Sequence, residues 1–585
     1  NREFKANPGS PWGDRNMGPI FDKRTQVFAL ALDAKASFPF AKPTELTVNK
    51  DAKKADSKDQ DTPAKVKVEW DGLNQRLWQV PVDAGNYNSL TAAKDKLYLL
   101  DGSQDKSELK LIKFDPLNIK VDTFGEDVGQ YSLSKDGSKI MLRKQSDPKS
   151  LMIVDAGDKL PSDVSRAKVS TDQWQLSISP QQEWQQIFED AWLMHRDSFF
   201  DPKMRGVDWQ AAKAKYQPLV DRLTDRNELN DIFTQMMGEL NSLHSQVRGG
   251  DIAQDADAAK AAALGARLTQ TDRGVVISHI YQTDPELPLS ASPLARIEVD
   301  AKEGDVIASI NGKKITNIAD VTQLLRNQGN KQVLLGLVRG KTAINTIVTP
   351  HDIGTDAKLR YLDWVEHNGD KVAKASKGNI GYLHLYAMGS GDVESFAREF
   401  YTNYDKDGLI IDVRRNRGGN IDSWIIEKLL RRAWAFWQPT HGSTNANMQQ
   451  TFRGHLVVLA DQMTYSDGET FSAGIRALNI APIIGKQTAG AGVWLSGRNS
   501  VTDKGMARVA EYPQYAIDGR WVVEGHGVEP DIEVDNLPYA TFSGKDAQLD
   551  AAISYLKDEL VQQPIAPLQG LPMPKIGKAA DIKAK

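Results

Sequence analysis

The stretch that decides the fold of the C-terminal part of this chain is residues 460–471, which read ADQMTYSDGETF. It follows an apolar run, residues 455–460, that has the length of a buried strand, and it leads into a helix predicted over residues 467–478. Ser466 therefore lies in a strand-to-helix turn. Such a serine can cap the helix by accepting the N–H of Glu469, or it can act as a nucleophile if a base lies nearby. Taken alone, the pattern favours the cap.

The same alternation of strand and helix surrounds this turn and predicts an α/β domain over residues 351–562, followed by a Pro-rich tail over residues 563–585. One strand of that domain ends in residues 412–420, DVRRNRGGN, where a glycine pair precedes a helix. Backbone N–H groups in such a turn, near the positive end of a helix dipole, suit the binding of an oxyanion. Glycine pairs in these turns are also common for purely geometric reasons.

A catalytic serine needs a base, and the candidates are nine histidines. Three of them lie in apolar strands, where a satisfied core histidine is the ordinary explanation, and four have ordinary helical or loop settings. The first group is His279, His384 and His455, and the second is His195, His351, His367 and His441. His244 and His526 remain as candidates, because both adjoin turns that are rich in Gly and Ser.

The turn that holds His526 reads WVVEGHGVEPD over residues 521–531 and also contains Glu524. An acid and a histidine in one turn can bind a metal ion, but no His-x-x-x-His pair and no second pair of ligands accompanies them. We therefore predict no metal site and no cofactor.

Residues 1–171 are predicted to be β structure, because short alternating or aromatic-rich runs are separated by Asp-Gly turns. The segments 92–98 and 133–141 look like one unit repeated at an offset of about 41 residues, a blade-sized period for a β-propeller. A meandering sandwich is the alternative. This length holds about three or four blades, fewer than a closed ring needs, so we expect an N-terminal remainder of the same polypeptide to complete the ring.

Two further domains are predicted between these regions. Helical periodicity over residues 172–261 indicates a helical cap, in which a second helix runs into LNSLHS at residues 240–245. Residues 262–350 resemble a PDZ domain through GDVIASING at residues 304–312, and the peptide-binding loop would be Leu264, Gly265, Ala266 and Arg267. PDZ domains capture a C-terminal carboxylate and add the peptide as an edge strand. A small packing module without a free groove is the alternative.

The composition excludes several classes of function. Lys+Arg number 73 and Asp+Glu 77, so the net charge of −4 argues against a nucleic-acid partner. No window approaches the ~18 consecutive apolar residues of a membrane helix, so membrane insertion is not expected. The absence of cysteine excludes disulfides, cysteine nucleophiles and thiolate metal sites. The first residue is Asn1, without a signal-peptide pattern, so either a leader has been removed or this is the C-terminal part of something longer.

The motifs in their fixed order resemble the C-terminal half of a tricorn-type serine peptidase. That order is a helical cap ending in Leu-x-x-x-His, a PDZ insertion, Asp-x-Arg-x-Asn-x-Gly-Gly, Ser-Asp-Gly-Glu and Glu-x-x-Gly-Val-x-Pro-Asp. The resemblance covers essentially the whole chain. It implies a multidomain fold: a partial β-propeller, a helical cap, a PDZ-like domain and an α/β catalytic domain of the crotonase/Clp-like sandwich type.

The resemblance also implies roles for individual residues. Ser466 matches the nucleophile, His244 the general base and Glu524 the acid that orients the base. The backbone N–H groups of Gly419 (or Gly418) and Asp467 match the oxyanion hole. Family members have a serine directly before the base; here that position is Leu243, so Ser242 or Ser245 is a candidate relay, unless Glu524 reaches the base directly or through water.

The related C-terminal processing peptidases use a Ser/Lys dyad, with the lysine in a Gly-x-x-Thr-x-Gly-Lys-Gly turn. The matching stretch here is GKQTAGAG at residues 485–492, with Ala491 in place of that lysine and Lys486 five positions away. This difference favours the histidine-based mechanism.

The function predicted from the resemblance is hydrolysis of peptides, oligopeptides or unfolded chains by a serine peptidase that forms an acyl-enzyme. The alternatives are a non-catalytic PDZ and propeller scaffold, or a Ser/Lys processing peptidase. The resemblance further implies a homo-oligomer with a hexamer as the basic assembly. It also implies a cytoplasmic location, or a periplasmic one if a signal peptide preceded the missing N-terminus.

Overall fold

The computed structural model describes residues 23–572, apart from 24, 37, 43–67, 94, 103–105, 253, 254, 256, 390 and 496–498. The chain forms two compact units that divide between Ser177 and Ile178. None of the helices in the described ranges is long and apolar enough to cross a membrane.

The first unit consists of antiparallel sheets built from consecutive strands. These strands are β1 (Phe28–Leu30), β2 (Leu77–Gln79), β3 (Tyr87–Ala92), β4 (Lys96–Gly102), β5 (Ser107–Lys113), β6 (Val121–Glu126), β7 (Val128–Leu133), β8 (Lys139–Lys144) and β9 (Met152–Asp155). Strands β3 to β6 form one meander and β7 to β9 another, while β1 pairs with β2.

The repeated segments 92–98 and 133–141 occupy equivalent places in these sheets, because the first runs from the end of β3 into β4 and the second from the end of β7 into β8. The two meanders share one apolar core. The Tyr131 hydroxyl of β7 donates to the carbonyl of Tyr98 in β4 at 2.7 Å and joins them. Consecutive antiparallel meanders of this kind are the blade-type sheets that the repeat predicts.

The second unit begins with three helices, α1 (Pro180–Ser198), α2 (Trp209–Val220) and α3 (Arg226–Gly238). Helix α1 starts with proline at its first position, and its apolar face, which includes Ile187 and Phe188, is buried. Asp225 and Glu228 form a capping box that begins α3. After α3 the chain turns through His244 into the short strand β10 (Gln246–Arg248).

A PDZ-like module follows. It contains β11 (Ala262–Ala263), β12 (Ala266–Thr271), β13 (Gly274–Ile280), β14 (Val306–Ile310), β15 (Lys313–Lys314), α4 (Ile318–Leu324), β16 (Val333–Arg339), β17 (Thr342–Val348) and β18 (His351–Asp352). The sheet order is β12–β13–β14–β16–β17, with β15 beside β14, so β12 is an edge strand. Strands β11 and β18 pair with each other and bring the two ends of the module together.

The remaining residues form the α/β domain. Its elements are α5 (Ile353–Ser376), β19 (Ile380–His384), α6 (Asp392–Asn403), β20 (Gly408–Asp412), α7 (Asp422–Leu430), β21 (Ala435–Trp437), β22 (Asn445–Asn447), β23 (His455–Ala460), α8 (Asp467–Ala477), β24 (Ile483–Gly485), β25 (Trp494–Leu495), β26 (Met506–Arg508), β27 (Ala510–Tyr512), β28 (Ile532–Glu533), α9 (Pro538–Phe542) and α10 (Ala547–Gln562). Five strands form a parallel sheet of order β19–β20–β23–β24–β28.

The parallel sheet is covered on both faces, which explains its nearly continuous apolar strands. Val457 and Leu459 of β23 pack with α5 and α10, whereas Val458 packs with α6, α7 and α8. Because β20 and β23 are neighbouring parallel strands, with Asp412 beside Leu459, the turns that follow them meet at one edge of the sheet. That edge holds both the glycine pair and Ser466.

Candidate active site

Ser466 is the residue that precedes α8, and its backbone has φ 55° and ψ −118°. Positive φ is uncommon for a residue with a side chain, so this conformation must be held by its surroundings. Glu469 holds it: its Oε2 accepts the Ser466 N–H at 3.0 Å, and its own N–H donates to the Ser466 carbonyl at 2.8 Å. Ser466 thus occupies the N-cap position that the sequence favours.

Glu469 is fully buried and joins the turn that holds Ser466 to the turn at residues 488–491. Its Oε1 accepts the Thr488 hydroxyl and the Gly490 N–H, both at 2.6 Å, and its Oε2 also accepts the Ala491 N–H at 2.8 Å. Burial raises the pKa of this carboxyl, while these hydrogen bonds oppose the rise. Sequence reasoning missed the role, although a Glu three residues after an N-cap serine is a capping-box signal.

The Ser466 hydroxyl faces His244. The distance between His244 Nε2 and Ser466 Oγ is 3.0 Å, although the two residues are 222 positions apart in the chain. Tyr465 flanks the imidazole with a ring-centroid separation of 4.9 Å, and its hydroxyl donates to the Leu243 carbonyl at 3.2 Å. The helical cap and the α/β domain therefore bring a buried imidazole to the serine.

The pKa of His244 is lowered to about 4, first by burial and then by the positive charge of Arg508, while the backbone of Val493 acts in the opposite direction. The ring is therefore neutral at pH 7, and Nε2 can accept a proton. Nδ1 is buried without a partner in hydrogen-bonding geometry among the described residues.

Glu524 does not contact this imidazole. Its Oε2 accepts the N–H groups of Gly492 and Val493, both at 2.9 Å, and its Oε1 lies 3.4 Å from Arg205 Nη1. Glu524 and His244 therefore share no direct hydrogen bond. The backbone of Val493 lies near both, because its N–H donates to Glu524 and it acts to raise the pKa of His244.

The two candidate relay serines do not bridge Glu524 and His244 either. The Ser242 hydroxyl is buried with no partner in the part of the chain that the structure describes. The Ser245 hydroxyl accepts the Ala510 N–H at 3.4 Å. Leu243, which replaces the family's serine, is 47% exposed.

The glycine pair predicted as part of an oxyanion hole lies close to Ser466. A Cβ on Gly418 would stand 2.6 Å from Ser466 Cβ, and a Cβ on Gly419 would stand 1.8 Å from the Met388 carbonyl oxygen. Neither position has room for a side chain. Gly418 donates its N–H to Asn416 Oδ1 at 2.8 Å, whereas the Gly419 N–H has no acceptor among the described residues. The geometry therefore favours Gly419 over Gly418 as a donor.

The second candidate donor, the Asp467 N–H, is likewise without an acceptor in the described ranges. The Asp467 carboxyl is buried, and its Oδ2 accepts the N–H groups of Ile421 at 2.8 Å and Asp422 at 3.1 Å. Burial and the neighbouring Asp422 raise the pKa of Asp467. One residue thus ties the glycine turn to the helix that begins after Ser466, a link that sequence reasoning missed.

The other site predictions lie elsewhere. The ring of His526 is bonded to the carbonyl of its neighbour Gly527 at 3.0 Å. Ala491, at the position of the lysine in the Ser/Lys peptidases, is buried beside Glu469. Lys486 pairs with Glu533 at 2.6 Å. Neither position therefore supplies a lysine base. No group of three or more His, Asp or Glu side chains among the described residues could hold a metal ion.

Two of the three strand histidines are not buried core groups, and one of them, His455, is partly exposed with its Nε2 2.7 Å from the Gln563 carbonyl oxygen. His384 is buried and contacts the Tyr361 hydroxyl, but His279 is partly exposed. Its two ring nitrogens lie 2.7 Å from Glu303 and Asp363 carboxylate oxygens. His279 is therefore a partly exposed residue that contacts two carboxylates rather than a core group.

The predicted PDZ loop is only partly available. Leu264 is buried in the module's core, and the Gly265 carbonyl already accepts the Tyr281 N–H at 3.0 Å and the Ser292 hydroxyl at 2.7 Å. Ala266 begins the edge strand β12, to which a peptide strand could add, and Arg267 is exposed.

Three family models match the second unit in chain order: Tricorn protease C1 domain over residues 180–238, Tricorn protease PDZ domain over 262–351, and Peptidase family S41 over 379–534. The chain is 28% identical over 531 residues to Tricorn protease homolog 1 of Streptomyces coelicolor, which covers 86% of this chain and 48% of that protein. It is 26% identical over 510 residues to Tricorn protease of Thermoplasma volcanium, which covers 85% and 48%.

The crystal structure of the tricorn protease aligns with a TM-score of 0.80 at 23% identity, over 93% of this chain and 52% of that chain, and so shows the fold. Residues 379–534 match the S41 peptidase family, and the two domains before them match domains of the tricorn protease. These matches are those of a tricorn-type S41 peptidase, and the resemblance and the multidomain fold class predicted from the motifs are confirmed. The chain spans about half the length of these curated relatives.

Proposed function

We propose that this chain is the catalytic part of a tricorn-type serine peptidase that hydrolyses peptides or unfolded chains through an acyl-enzyme. The observation that carries the proposal is the 3.0 Å contact between His244 Nε2 and Ser466 Oγ. A hydroxyl at that distance from a neutral imidazole has the base that a serine nucleophile requires. The tricorn and S41 family matches support the same reaction class.

In the acylation step, Ser466 Oγ attacks the carbonyl carbon of the scissile peptide bond while His244 Nε2 takes the hydroxyl proton. Negative charge moves to the carbonyl oxygen, where the N–H groups of Gly419 and Asp467 can donate to it. Each such donor contributes roughly 2.7–4 kcal/mol to transition-state stabilisation. The imidazolium then protonates the leaving amine, the C–N bond breaks, and the acyl group remains as an ester on Ser466.

In the deacylation step, water attacks the ester carbonyl and gives its proton to His244 Nε2. The same two N–H groups bind the second oxyanion. The C–O bond to Ser466 then breaks, and the serine oxygen recovers the proton from the imidazolium. The low pKa of His244 favours return of the proton at each stage, because burial and Arg508 both disfavour the charged ring.

Labelling with a fluorophosphonate tests the proposed function. We expect one covalent label on the wild-type chain and none on Ser466→Ala, because phosphonylation requires an activated hydroxyl. Ser472→Ala is the matched control on the same helix, since the Ser472 hydroxyl only donates to the Gly468 carbonyl at 2.8 Å. Absence of label on the folded wild type would leave the scaffold alternative, and label retained by Ser466→Ala would exclude this nucleophile.

Glu524→Gln should be milder than the loss of about 10⁴-fold in kcat that follows when an acid bonded directly to a catalytic histidine is removed. We expect a decrease of about 10- to 100-fold, because Glu524 acts through the Gly492 and Val493 N–H groups, which a glutamine oxygen can still accept. Steady-state kinetics beside Glu533→Gln, a change at an exposed acid, measures the difference. A full loss of activity would show that Glu524 bonds the base in the working enzyme.

We also propose, from the family resemblance, that the working assembly is a homo-oligomer with a hexamer as its basic unit and that an N-terminal remainder of the same polypeptide completes the propeller. Native mass spectrometry of the full-length protein tests both, through the mass of the subunit and the mass of the assembly.

A Ser/Lys mechanism is disfavoured by the pairing of Lys486 with Glu533.

A further inference from the structure

Two arginines stand beside the candidate active site on one face of a two-stranded ribbon. Strand β10 begins two residues after His244 and pairs antiparallel with β26, with Gln246 opposite Arg508 and Arg248 opposite Met506. Between these pairs, Val247 and Ala507 point into the core. Because side chains alternate along a strand, Arg248 and Arg508 share the opposite face.

This face adjoins the catalytic pair. The Gln246 side-chain amide donates to the Leu243 carbonyl at 2.8 Å, which fixes the start of the ribbon against the turn that carries His244. The positive charge of Arg508 lowers the pKa of His244. Arg508 and Arg248 both oppose the rise in the pKa of Tyr465 that its burial causes. Both guanidinium groups therefore lie within electrostatic reach of the side chains around Ser466.

Neither guanidinium has a hydrogen-bond or ion-pair partner among the described residues. The Nε of Arg508 is also buried from solvent, so its N–H is both buried and unpaired among those residues. Two buried arginines of this unit, by contrast, are paired: Arg226 lies 2.6 Å from Asp503, and Arg414 lies 2.7 Å from Asp412. A buried guanidinium N–H without an acceptor is costly unless a ligand supplies one. The planar fork of a guanidinium matches a carboxylate.

We propose that Arg508, assisted by Arg248, binds a carboxylate of the substrate close to the scissile bond, so that the site selects acidic peptides. This inference rests on the proposed peptidase function and names its substrate class. The carboxylate is that of an Asp or Glu side chain or of a nearby free C-terminus, and both present the same group to the arginines.

Three peptides of one scaffold distinguish the sources. The first has glutamate within two residues of the cleaved bond and an amidated C-terminus, the second has glutamine there and the same amide, and the third has glutamine and a free C-terminus at that distance. We expect wild-type kcat/KM to be about 10- to 100-fold higher for the glutamate peptide or the free C-terminus peptide than for the neutral one. The ratio of kcat/KM for a carboxylate peptide to kcat/KM for the neutral peptide should fall close to one in Arg508→Gln. It should decrease less in Arg248→Gln and Arg508→Lys. Arg196→Gln, at an exposed arginine paired with Asp197, should retain it.

A pH profile separates this role from a structural one. With the neutral peptide, kcat/KM should rise with pH through about 4 as His244 loses its proton. Removing the Arg508 cation makes the imidazolium easier to form, so the acid limb in Arg508→Gln should move to higher pH. An unmoved limb together with an unchanged carboxylate preference would overturn the proposal.

Binding to Ser466→Ala separates this proposal from the proposed function. Fluorescence anisotropy should give tighter binding of a carboxylate peptide than of the neutral peptide, without any need for turnover. Carboxylate-selective binding without hydrolysis by the wild type would contradict the peptidase proposal and leave this inference standing. Hydrolysis without selectivity for either carboxylate source would contradict this inference and leave the peptidase proposal standing.

Discussion

His244→Ala should lower kcat for peptide hydrolysis by on the order of 10⁴-fold or more. The reason is that His244, the proposed base, has its Nε2 3.0 Å from the Ser466 hydroxyl oxygen. Without it, the serine must lose its proton to water. The same variant should label far more slowly with a fluorophosphonate, while its circular dichroism stays that of the wild type. Stopped-assay kinetics with a fluorogenic peptide measures the decrease.

His526→Ala is the control for that variant. His526 lies in the Gly-rich turn that attracts attention in the sequence, but its ring bonds only the carbonyl of Gly527 in the described structure. We expect its kcat to stay near that of the wild type. An active His244→Ala beside an inactive His526→Ala would reverse the assignment of the base.

Gly419→Ala should lower kcat by about 10²- to 10³-fold with little change in KM, the loss expected when an oxyanion-hole donor is displaced. An added Cβ would lie 1.8 Å from the Met388 carbonyl oxygen, so the backbone must move. Met388 also holds the turn on both sides, through bonds with the Gly418 carbonyl at 2.9 Å and the Asn420 N–H at 2.8 Å. A shift of this strand-like contact moves the Gly419 N–H away from the oxyanion.

Gly391→Ala is the matched control, because a Cβ there has no heavy atom within 4 Å. It should keep wild-type kinetics and thermal stability. If Gly419→Ala retained wild-type kcat while its melting temperature showed it to be folded, the Gly419 N–H would not be an oxyanion donor. Fluorophosphonate labelling gives a second readout, since the reagent's oxygen occupies the same hole.

Much of this architecture follows from local pattern. The apolar runs at 408–413 and 455–460 have the length and composition of strands buried on both faces, and they lie where β20 and β23 form. The S-x-x-E spacing at Ser466 and Glu469 predicts the start of α8. These signals are readable because a helix or a strand is set by residues within a few positions of one another.

Some candidate site residues cannot be told apart by their local sequence, and only the tertiary structure distinguishes them. Both His244 and His526 lie in Gly- and Ser-rich surroundings, but only His244 is brought to Ser466. Similarly, Gly418 and Gly419 are indistinguishable in the sequence, and the bond from Gly418 to Asn416 separates them. Glu524 carries the family motif, yet its carboxylate faces the backbone of Gly492 and Val493.

The sequence by itself thus determined the main strands and helices of the α/β domain, the order of the motifs, and the placement of the glycine pair and Ser466 in strand-to-helix turns. That these two turns meet at one edge of the parallel sheet was shown by the strand pairing. Tertiary structure decided which histidine meets Ser466, which glycine N–H has no acceptor among the described residues, and that no described residue pairs with the Arg508 guanidinium beside the site. The physical reason is the long separation, along the chain, of the residues that come into contact. Ser466 and His244 are 222 residues apart, and their contact depends on the summed packing of a helical cap against an α/β domain. No periodicity within one segment encodes such packing.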